Sequence, residues 1–455
     1  MTQNNSGFLL KSVLLVSERL AESVELNRIV TDVEVFEHIE KPYLTGRIML
    51  IDDSSFYENA DIQGTERIQL TIVSSEEDST PIVKTFFVAK VEKIQKVQDN
   101  AQTLMIHLVE DIFYLSSLKN VNRHYTGSRS NIIGKIAQNF LNKRVFLTGK
   151  DKSVIEVIVP NLHPLEAMMW LNKKAVNSRG YPFYLYSTFV GDELRMENLG
   201  DILQRPSLNA GQDDAAFSIS SLKAQDTMNV TAQRRIIENH QINSQENLLD
   251  LIREGLISSK FEYIDTLTED TRSIDYNSRT SLFKNLLNDG VLNEKQKNPQ
   301  VDFAELIEDK TIDKFRPLTC TYIGGSMAFR DSDTAEGFTP FTYNAWNNSY
   351  GEYKTAADYK LNVISSTMDA ILKKNPLIIN LNGLEFIKGD AHRTIGNNIS
   401  IAVQSTHDQA DDKVDRKKSG DYLIYSVRHM FKKTVDKYDV VMNCVKIGNL
   451  QRAKE

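Results

Sequence analysis

The chain has 455 residues, 41% of them hydrophobic and 25% charged, which is ordinary for a globular protein of roughly two to four domains. Its net charge of −7 argues against a general nucleic-acid binder, because such a protein needs a basic excess to neutralise phosphates. There is no run of ~18 apolar residues, and the first residues lack the basic-then-apolar pattern of a secretory signal, so we expect neither a membrane span nor secretion.

Cysteine usage predicts neither a disulfide framework nor a cysteine zinc site. Cys320 and Cys444 are the only two cysteines, and they are far apart in the sequence. Cys444 alternates with apolar neighbours in the last strand pattern, so we expect it in the core. The pattern is typical of a protein made in a reducing cytoplasm.

Residues 1–115 predict a first, all-β unit. Val33 and Val35 alternate with polar residues, the period-2 pattern of a half-buried strand. A strand ending at the turn Asp52-Asp53 follows, and three more strands follow Gly64. The unit is therefore expected to hold about six strands.

Residues 116–212 predict a small α+β unit. Apolar residues have helical spacing from Ser130, behind a serine N-cap, and again from Pro164, which lies near the first turn of its helix. The run V-I-E-V-I-V before Pro160 predicts a strand, and two strand patterns flanking Gly191-Asp192 predict a hairpin.

A second β unit is predicted to be discontinuous, formed by residues 213–243 and 376–455. Residues 244–375 between them are polar and predict a partly helical insertion. Helical patterns in this insertion start at Asn247, start at Thr280 and extend from Ala356 to Lys374. The fold class is therefore α+β, mainly β.

One pattern occurs twice in the chain. A glycine, an alternating strand, a polar loop and two further apolar strands follow each other from Gly64 and again from Gly396. The alternating residues are Ile68, Leu70 and Ile72 in the first copy, and Ile399, Ile401 and Val403 in the second. The order predicts two copies of one small antiparallel barrel or sandwich. The alternative is that any two β-meanders look alike.

The last two long strands carry apolar residues on both faces. In one of them Leu423, Tyr425 and Val427 alternate with Tyr422 and Ile424. A sheet with one wet face would alternate more cleanly, so both faces are expected to be covered. The cover is either another subunit or a helix of the insertion.

The motif search predicts no catalytic, cofactor-binding or metal site. His407-Asp408 with Asp411-Asp412 lack the glycine turn of a calcium loop, and Gly324-Gly325 lacks the spacing and lysine of a phosphate loop. The acidic residues Glu34, Glu37, Asp52 and Asp53 lie near predicted strand ends, where the paired carboxylates of a glycosidase could sit. Strand ends and turns favour such residues anyway.

An aromatic patch in the insertion has two interpretations. It contains Tyr343, Trp346, Tyr350 and Tyr353. Aromatic side chains are enriched at contact surfaces, so the patch could bind carbohydrate or protein. Alternatively, these rings pack on the core of the insertion itself.

Four passages resemble one known family when they are taken together in this order. They are V-E-V-F-E-H-I-E-K-P-Y-L-T-G-R-I-M-L-I-D-D, I-V-P-N-L-H-P-L-E-A-M-M-W-L, F-Y-L-Y-S-T with E-L-R-M-E-N-L-G-D-I-L, and I-K-G-D-A-H-R-T-I-G-N-N-I-S-I with the two strands after it. The chain resembles the baseplate central hub proteins of contractile-tailed bacteriophages, which are related to the N-terminal part of type VI secretion spike proteins. The insertion departs from the compact pattern of this family.

The resemblance implies two tube-type barrel domains in a homotrimer, so that six barrels match a hexameric tail tube on one side and a trimeric spike on the other. It implies assembly in the host cytoplasm, a place in the virion baseplate, contacts with other baseplate or tape-measure proteins, and DNA passing through the lumen without specific binding. It supplies no catalytic residues and no cofactor. Two alternatives remain open: a carbohydrate-binding or cell-wall-degrading tail protein, and a type VI secretion-like spike component.

Overall fold

The computed structural model describes most of the chain. The described residues are 8–20, 22–74, 80–98, 101–149, 151, 154–209, 217–219, 235–242, 248–265, 271–292, 296–297, 306–307, 310–311, 314, 318–324, 356–374, 376–387, 391–403, 415, 418–446 and 449–450.

The N-terminal part is built of strands with one short helix. The strands are β1 (Phe8–Val16), β2 (Val24–Glu25), β3 (Val30–His38), β4 (Thr45–Asp52), β5 (Arg67–Ser74), β6 (Ile82–Gln98) and β7 (Ala101–Glu110). The helix α1 (Phe56–Ala60) lies between β4 and β5.

The region expected to be α+β alternates helices and short strands. Its elements are α2 (Asp111–Ser117), β8 (His124–Ser128), α3 (Arg129–Ile136), a π-helical turn (Ala137–Leu141), β9 (Val145–Thr148), β10 (Val154–Ile158), α4 (Pro164–Asn172), β11 (Phe183–Ser187), β12 (Leu194–Asn198) and α5 (Leu199–Leu203). As predicted, Pro164 starts its helix, and β11 and β12 form an antiparallel hairpin.

The cap of α3 is a correction to the sequence prediction. Ser128, not Ser130, is the N-cap residue, and its hydroxyl oxygen accepts the Asn131 backbone N–H at 3.3 Å. Ser130 is buried inside the first turn, with its hydroxyl 3.0 Å from that of Ser128. Both serines satisfy the sequence signal, and only the backbone path decides between them.

The C-terminal half of the chain begins with strands, continues through the insertion and returns to strands. The elements are β13 (Phe217–Ile219), β14 (Ile237–Ile242), α6 (Leu248–Arg253), β15 (Ser258–Asp265), β16 (Thr271–Asn277), a π-helix (Arg279–Phe283), α7 (Lys284–Asn288), β17 (Gln296–Lys297), β18 (Leu306–Ile307), β19 (Lys310–Thr311), β20 (Leu318–Gly324), α8 (Ala356–Lys374), β21 (Leu377–Asn382), a 3₁₀ turn (Leu384–Phe386), β22 (Asn398–Val403), β23 (Gly420–Lys432), β24 (Lys437–Val445) and β25 (Asn449–Leu450).

The insertion contains a sheet that the sequence did not predict. Helix α8 has the predicted bounds, and helices occur near the two other predicted positions. However, β15 pairs with both β16 and β20 to form a three-stranded sheet. The insertion is therefore partly helical and partly β.

One 13-stranded sheet contains strands from both ends of the chain. The two β units that the sequence predicts as separate barrels are joined in it, because β3 pairs antiparallel with β23. All its strand pairs are antiparallel except β13–β22. The fold is therefore mainly β and dominated by a large antiparallel sheet.

The two halves of this sheet have the same strand order. The N-terminal half reads β3-β4-β7-β6-β5-β1, and the C-terminal half reads β14-β21-β24-β23-β22-β13. If the two-residue β2 is left out and the six strands of each half are numbered along the chain, both halves have the spatial order 2-3-6-5-4-1. The halves differ at the last pair, since β1 runs antiparallel to β5 whereas β13 runs parallel to β22.

Two bulges fall at equivalent places in the two halves. When β5 is aligned on β22 through Ile68 and Ile399, the bulge at Val88/Lys90 coincides with the bulge at Ile424/Ser426. Continued across the sheet, the same alignment brings the bulge between residues 30 and 32 onto the bulge between residues 237 and 239. Because a bulge is a local kink set by the chain, this agreement supports the predicted internal repeat.

One face of the sheet is buried. It carries the repeat triplets, all six of which are buried: Ile68, Leu70, Ile72, Ile399, Ile401 and Val403. Rings from β11 and the loop after it cover part of this face, with Phe189 at 4.8 Å from His429 and Tyr184 at 6.3 Å from Tyr425, both measured between ring centroids. The Tyr184 hydroxyl donates to Asp369 of α8 at 3.0 Å. The cover of this face of β23 thus comes from the same chain, and a second subunit is not needed for it. The prediction that both faces are covered is wrong for the part of β23 after Ser426, where the opposite face carries the partly exposed Arg428.

Candidate functional site: the open face and free edges of the central sheet

The four carboxylates singled out in the sequence do not form one pair. Glu34 lies on the face of the sheet opposite the core, where it accepts hydrogen bonds from Arg47 and from Arg428, the latter at 2.5 Å and 3.1 Å. Burial raises the pKa of Glu34, but the two guanidinium groups outweigh this effect and hold the net pKa below its usual value. Glu34 is thus held as a carboxylate across the β3–β23 junction.

Glu37 crosses the same junction on the buried face. It accepts the Phe189 backbone N–H at 2.6 Å and His429 Nε2 at 3.0 Å, and His429 Nδ1 lies 2.7 Å from the Tyr438 hydroxyl. Complete burial raises the pKa of Glu37, but its hydrogen-bond partners, His429 first among them, together hold the net pKa below its usual value. The group therefore links β3 to β23 through an ionised carboxylate.

Asp52 organises the turn after β4. Its carboxylate accepts the backbone N–H groups of Ser54 at 3.1 Å, Phe56 at 2.8 Å and Tyr57 at 3.0 Å, which fixes the start of α1. Asp53 is exposed and pairs with Arg28 at 3.6 Å. These roles explain acidic residues at this strand end in structural terms.

We expect Asp52→Ala to lower the free energy of unfolding by about 1–2 kcal/mol, because the first-turn N–H groups lose their acceptor. Asp53→Ala is the matched control, and its exposed ion pair should contribute less than about 0.5 kcal/mol. Burial raises the pKa of Asp52, but the backbone hydrogen bonds lower it to below 3.8. Its stabilisation is thus present above that pH and declines as the pH falls through the folded-state pKa. Urea denaturation at neutral and acidic pH measures both effects, and equal losses in the two variants would contradict the role of Asp52.

The remaining candidate residues lie mostly in segments that the structure does not describe. His407, Asp408, Asp411, Asp412 and the aromatic patch of Tyr343, Trp346, Tyr350 and Tyr353 lie outside the described residues, as does Gly325. Within the described parts of the chain, no group of three or more histidine, cysteine, aspartate or glutamate side chains could hold a metal ion. Cys444 is buried in β24, and burial raises the pKa of its thiol.

The face opposite the core, called here the open face, carries charges of both signs. Its ion pairs are Arg47 and Arg428 with Glu34, Lys90 and His107 with Glu92, and Lys432 and Lys437 with Asp439. Direct cross-strand neighbours place these residues on one side of the sheet. Each of these basic side chains therefore has a carboxylate partner close by.

The central sheet has two edges that are free among the described residues. Strand β5 pairs with β6 only up to Phe87, so the rest of β6 has β7 as its single strand neighbour. Among the described strands, β14 pairs with β21 alone, and it exposes Glu238, Asn239, His240 and Gln241. Ile94 of the free β6 segment is 45% exposed. Long exposed edges are unusual in proteins, because their unpaired backbone N–H and C=O groups allow unwanted pairing with other chains. An edge of this kind is therefore a candidate contact surface.

Sequence reasoning missed the partners that define the open face and the junction. Arg428 and Glu34 are 394 positions apart, and His429 and Glu37 are 392 apart. No motif spacing detects such pairs. The internal repeat was the one available signal. Two copies of one β unit can join through an edge strand of each, and the residues of these two edge strands then become neighbours.

No helix among the described residues is long and apolar enough to cross a membrane. No protein-family model matches the chain. No curated protein matches it either.

Solved structures do share its fold. A tail protein from Neisseria meningitidis aligns over 97% of this chain and 96% of its own with 10% identity and a TM-score of 0.51. The 43 kDa tail protein of prophage MuSo2 from Shewanella oneidensis aligns over 96% of this chain and 98% of its own with 11% identity and a TM-score of 0.52. An Escherichia coli type VI secretion component aligns more loosely, over 96% of this chain and 79% of its own, with 9% identity and a TM-score of 0.41. The chain thus has the fold of phage tail proteins, as the sequence resemblance predicted.

Proposed function

We propose that the protein is the structural hub of a phage tail baseplate. In this proposal three chains form a ring of six similar units, which adapts the hexameric tail tube to the trimeric spike around the DNA passage. The observation that supports it most is the shared strand order and bulge placement of the two sheet halves. Three copies of a twofold internal repeat supply the six positions that a hexameric tube presents.

The proposal assigns each region a part. Residues 1–115 and residues 213–243 with 376–455 are the two tube-type domains, residues 116–212 are the α+β domain, and residues 244–375 form the insertion. The partners are the chain itself, the tube protein, the spike and other baseplate or tape-measure proteins. The hub belongs to the baseplate of a contractile tail, is assembled in the host cytoplasm and serves DNA ejection.

The open face fits the wall of a DNA passage. Its basic groups lie beside Glu34, Glu92 and Asp439, so phosphates meet a charge-balanced surface in place of a row of unpaired cations. A nucleic-acid binder gains affinity by neutralising phosphates with unpaired basic groups. A balanced wall lets DNA pass without retaining it, and no specific DNA binding is expected.

Two other functions are separated from the hub by simple measurements. A cell-wall-degrading protein would hydrolyse peptidoglycan, whereas we expect no turnover from the hub and no catalytic residue or cofactor. A type VI secretion-like spike component would be encoded beside secretion genes, whereas the hub would be encoded beside tail genes.

We expect light scattering of the hub mixed with its spike to give three hub chains per complex. The free protein is tested at several concentrations, since ring closure can depend on the spike as a template. A dimer, or a hub that remains monomeric when the spike is bound, would overturn the proposed ring.

A further inference from the structure

We propose that β14 of one protomer pairs antiparallel with the free segment of β6 of the next protomer, in the register that joins β3 to β23 inside each chain. The inference rests on the trimer proposed above and identifies the contact that closes it. Its occupant is a second copy of this chain.

The internal junction shows how two units of this kind meet. Strand β23 uses its first residues to pair with β22, and its remaining residues, from Ser426 to Lys432, pair with β3. The pairing runs from Ser426 opposite His38 to Lys432 opposite Asp32. A long strand of one unit thus offers its outer edge to the edge strand of the other unit.

The same two edges recur in the opposite halves, and no strand among the described residues fills them. By strand order β6 is the equivalent of β23, and β14 is the equivalent of β3. Strand β6 likewise pairs with β5 over its first residues, and the edge beyond Phe87 has no strand neighbour among the described residues. Strand β14 has β21 on one side, and no other described strand pairs with its second edge. Each chain therefore presents one edge of each kind.

Two different edges on each chain form a heterologous contact, which either closes into a ring or continues as a filament. Chains that add a strand to an exposed sheet edge gain a ladder of backbone hydrogen bonds without needing special side chains. Because the internal junction already sets the angle between two units, a contact of equal geometry repeats that rotation around the ring. Internal and intersubunit junctions would then alternate.

The equivalences fix the register. Gln95 pairs with Thr103 as Met430 pairs with Asp439, so Gln95 takes the place of Met430. On the other strand, Gln241 pairs with Ile378 as Glu34 pairs with Arg47, so Gln241 takes the place of Glu34. Met430 lies opposite Glu34 in the internal junction. Gln95 is therefore placed opposite Gln241 of the neighbouring protomer.

The next pair follows from the same alignment. Lys96 takes the place of Phe431, and His240 takes the place of Val33, which lies opposite Phe431. Lys96 is therefore placed opposite the neighbour's His240. Between Glu92 and Gln95, β6 has a bulge with one more residue than β23 has at the equivalent place, and this register includes that residue.

The side chains at the two junctions differ in a way that suits their roles. The internal junction is held by Glu34 with Arg428 and by the buried Glu37 with His429. At the proposed contact Gln241 stands where Glu34 stands, and Glu92 stands where Arg428 stands. The contact between chains is thus polar and depends mainly on the backbone, so it should form less tightly than the internal one.

Disulfide trapping tests the register. The double variants Gln95→Cys with Gln241→Cys, and Lys96→Cys with His240→Cys, place cysteines directly opposite each other, where Cβ atoms are about 4.5–5.5 Å apart. Both pairs are used because adjacent pairs alternate in geometry and one fits a disulfide better. In a glutathione redox buffer we expect covalent species that end at three chains, with the peptide containing residue 95 or 96 joined to that containing 241 or 240 by mass spectrometry.

The controls share the same strands. Each single variant and the double variant Ile94→Cys with Gln241→Cys, in which the two cysteines are out of register by one residue, should give only background cross-linking. Lys432→Cys with Asp32→Cys reports the internal junction and should cross-link within one chain. Together they separate a specific register from random encounter.

The outcomes distinguish this contact from the trimer itself. If light scattering shows three chains with the spike but the in-register variants cross-link no better than the controls in that complex, the register is wrong and the trimer stands. A ladder that continues beyond three chains would overturn ring closure through these edges. An intrachain link between the in-register cysteines would show that one chain fills its own edge, which also overturns the inference.

Discussion

Replacing Gly396 by alanine is expected to lower the free energy of unfolding by about 3 kcal/mol. Gly396 has φ of +74°, in the left-handed region that costs an L-residue about 1–2 kcal/mol. A Cβ there would lie 2.2 Å from the Tyr186 hydroxyl oxygen and 2.8 Å from Cζ of the same ring. Tyr186 is fully buried, and its hydroxyl donates to Glu197 at 2.5 Å, so the ring cannot easily move away. Urea denaturation followed by circular dichroism measures the loss.

Gly290→Ala is the matched control for this prediction. Gly290 has φ of +69°, but a Cβ there would meet nothing within 4 Å, so only the backbone cost of about 1 kcal/mol is expected. Repeating Gly396→Ala in a Tyr186→Phe background removes the 2.2 Å contact and should reduce the loss. Equal losses at Gly290 and Gly396 would show that the overlap with Tyr186 is relieved at little cost.

The parts of the fold that could be predicted are those specified by local pattern. Ile399, Ile401 and Val403 alternate and are buried on one face of β22, because a strand turns successive side chains to opposite faces. The helix from Ala356 to Lys374 was predicted to the residue, since 19 positions give a clear helical period. Such elements are long, and their burial follows directly from their sequence.

Other elements were missed because their pattern is weak or their partners are remote. Strand β14 exposes four successive polar residues between Ile237 and Ile242, so its sequence shows no alternation of apolar and polar residues. Polar residues of this kind are typical of a strand at the edge of a sheet. Strands β15 and β20 pair in parallel across much of the insertion, and no local signal announces such a pairing. The continuous sheet depends on the β3–β23 pairing, which only a three-dimensional arrangement reveals.

In the candidate site, too, local pattern could be predicted from the sequence and remote partners could not. The acidic residues of β3 and β4 could be found from the sequence, but Glu34 lies in the middle of β3 and not near its end as predicted. The role of each residue also depends on which residue of a distant strand lies opposite. Glu34 and Glu37 are three positions apart on β3, an odd number, so their side chains point to opposite faces of the sheet. Glu34 faces the open side and Glu37 faces the core. Their different surroundings make them a matched pair for measuring how much a buried, hydrogen-bonded carboxylate contributes to the junction.

Replacing Glu37 by alanine is expected to lower the free energy of unfolding by about 3 kcal/mol, because two buried donors lose their acceptor and each unsatisfied buried donor costs about 1–3 kcal/mol. The change leaves His429 Nε2 and the Phe189 N–H without their acceptor, in a place where no part of Glu37 or His429 is exposed. Burial raises the pKa of Glu37, but its hydrogen-bond partners, His429 first among them, together hold the net value below 4.5. Its contribution is therefore complete above that pH and is lost as the pH falls through the folded-state pKa.

Glu34→Ala is the control on the same strand, reaching the same partner strand from the half-exposed side. Arg428 is 38% exposed and can be solvated when Glu34 is removed, so we expect a loss of only about 1 kcal/mol. Urea denaturation of both variants from pH 7 to pH 3 gives the two losses, and the deficit of Glu37→Ala should narrow towards the acid end. If Glu37→Ala lowers the free energy of unfolding no more than Glu34→Ala does, the buried hydrogen bonds of Glu37 contribute no more to the junction than the partly exposed pairs of Glu34. Apolar packing and the backbone hydrogen bonds between β3 and β23 would then hold the junction.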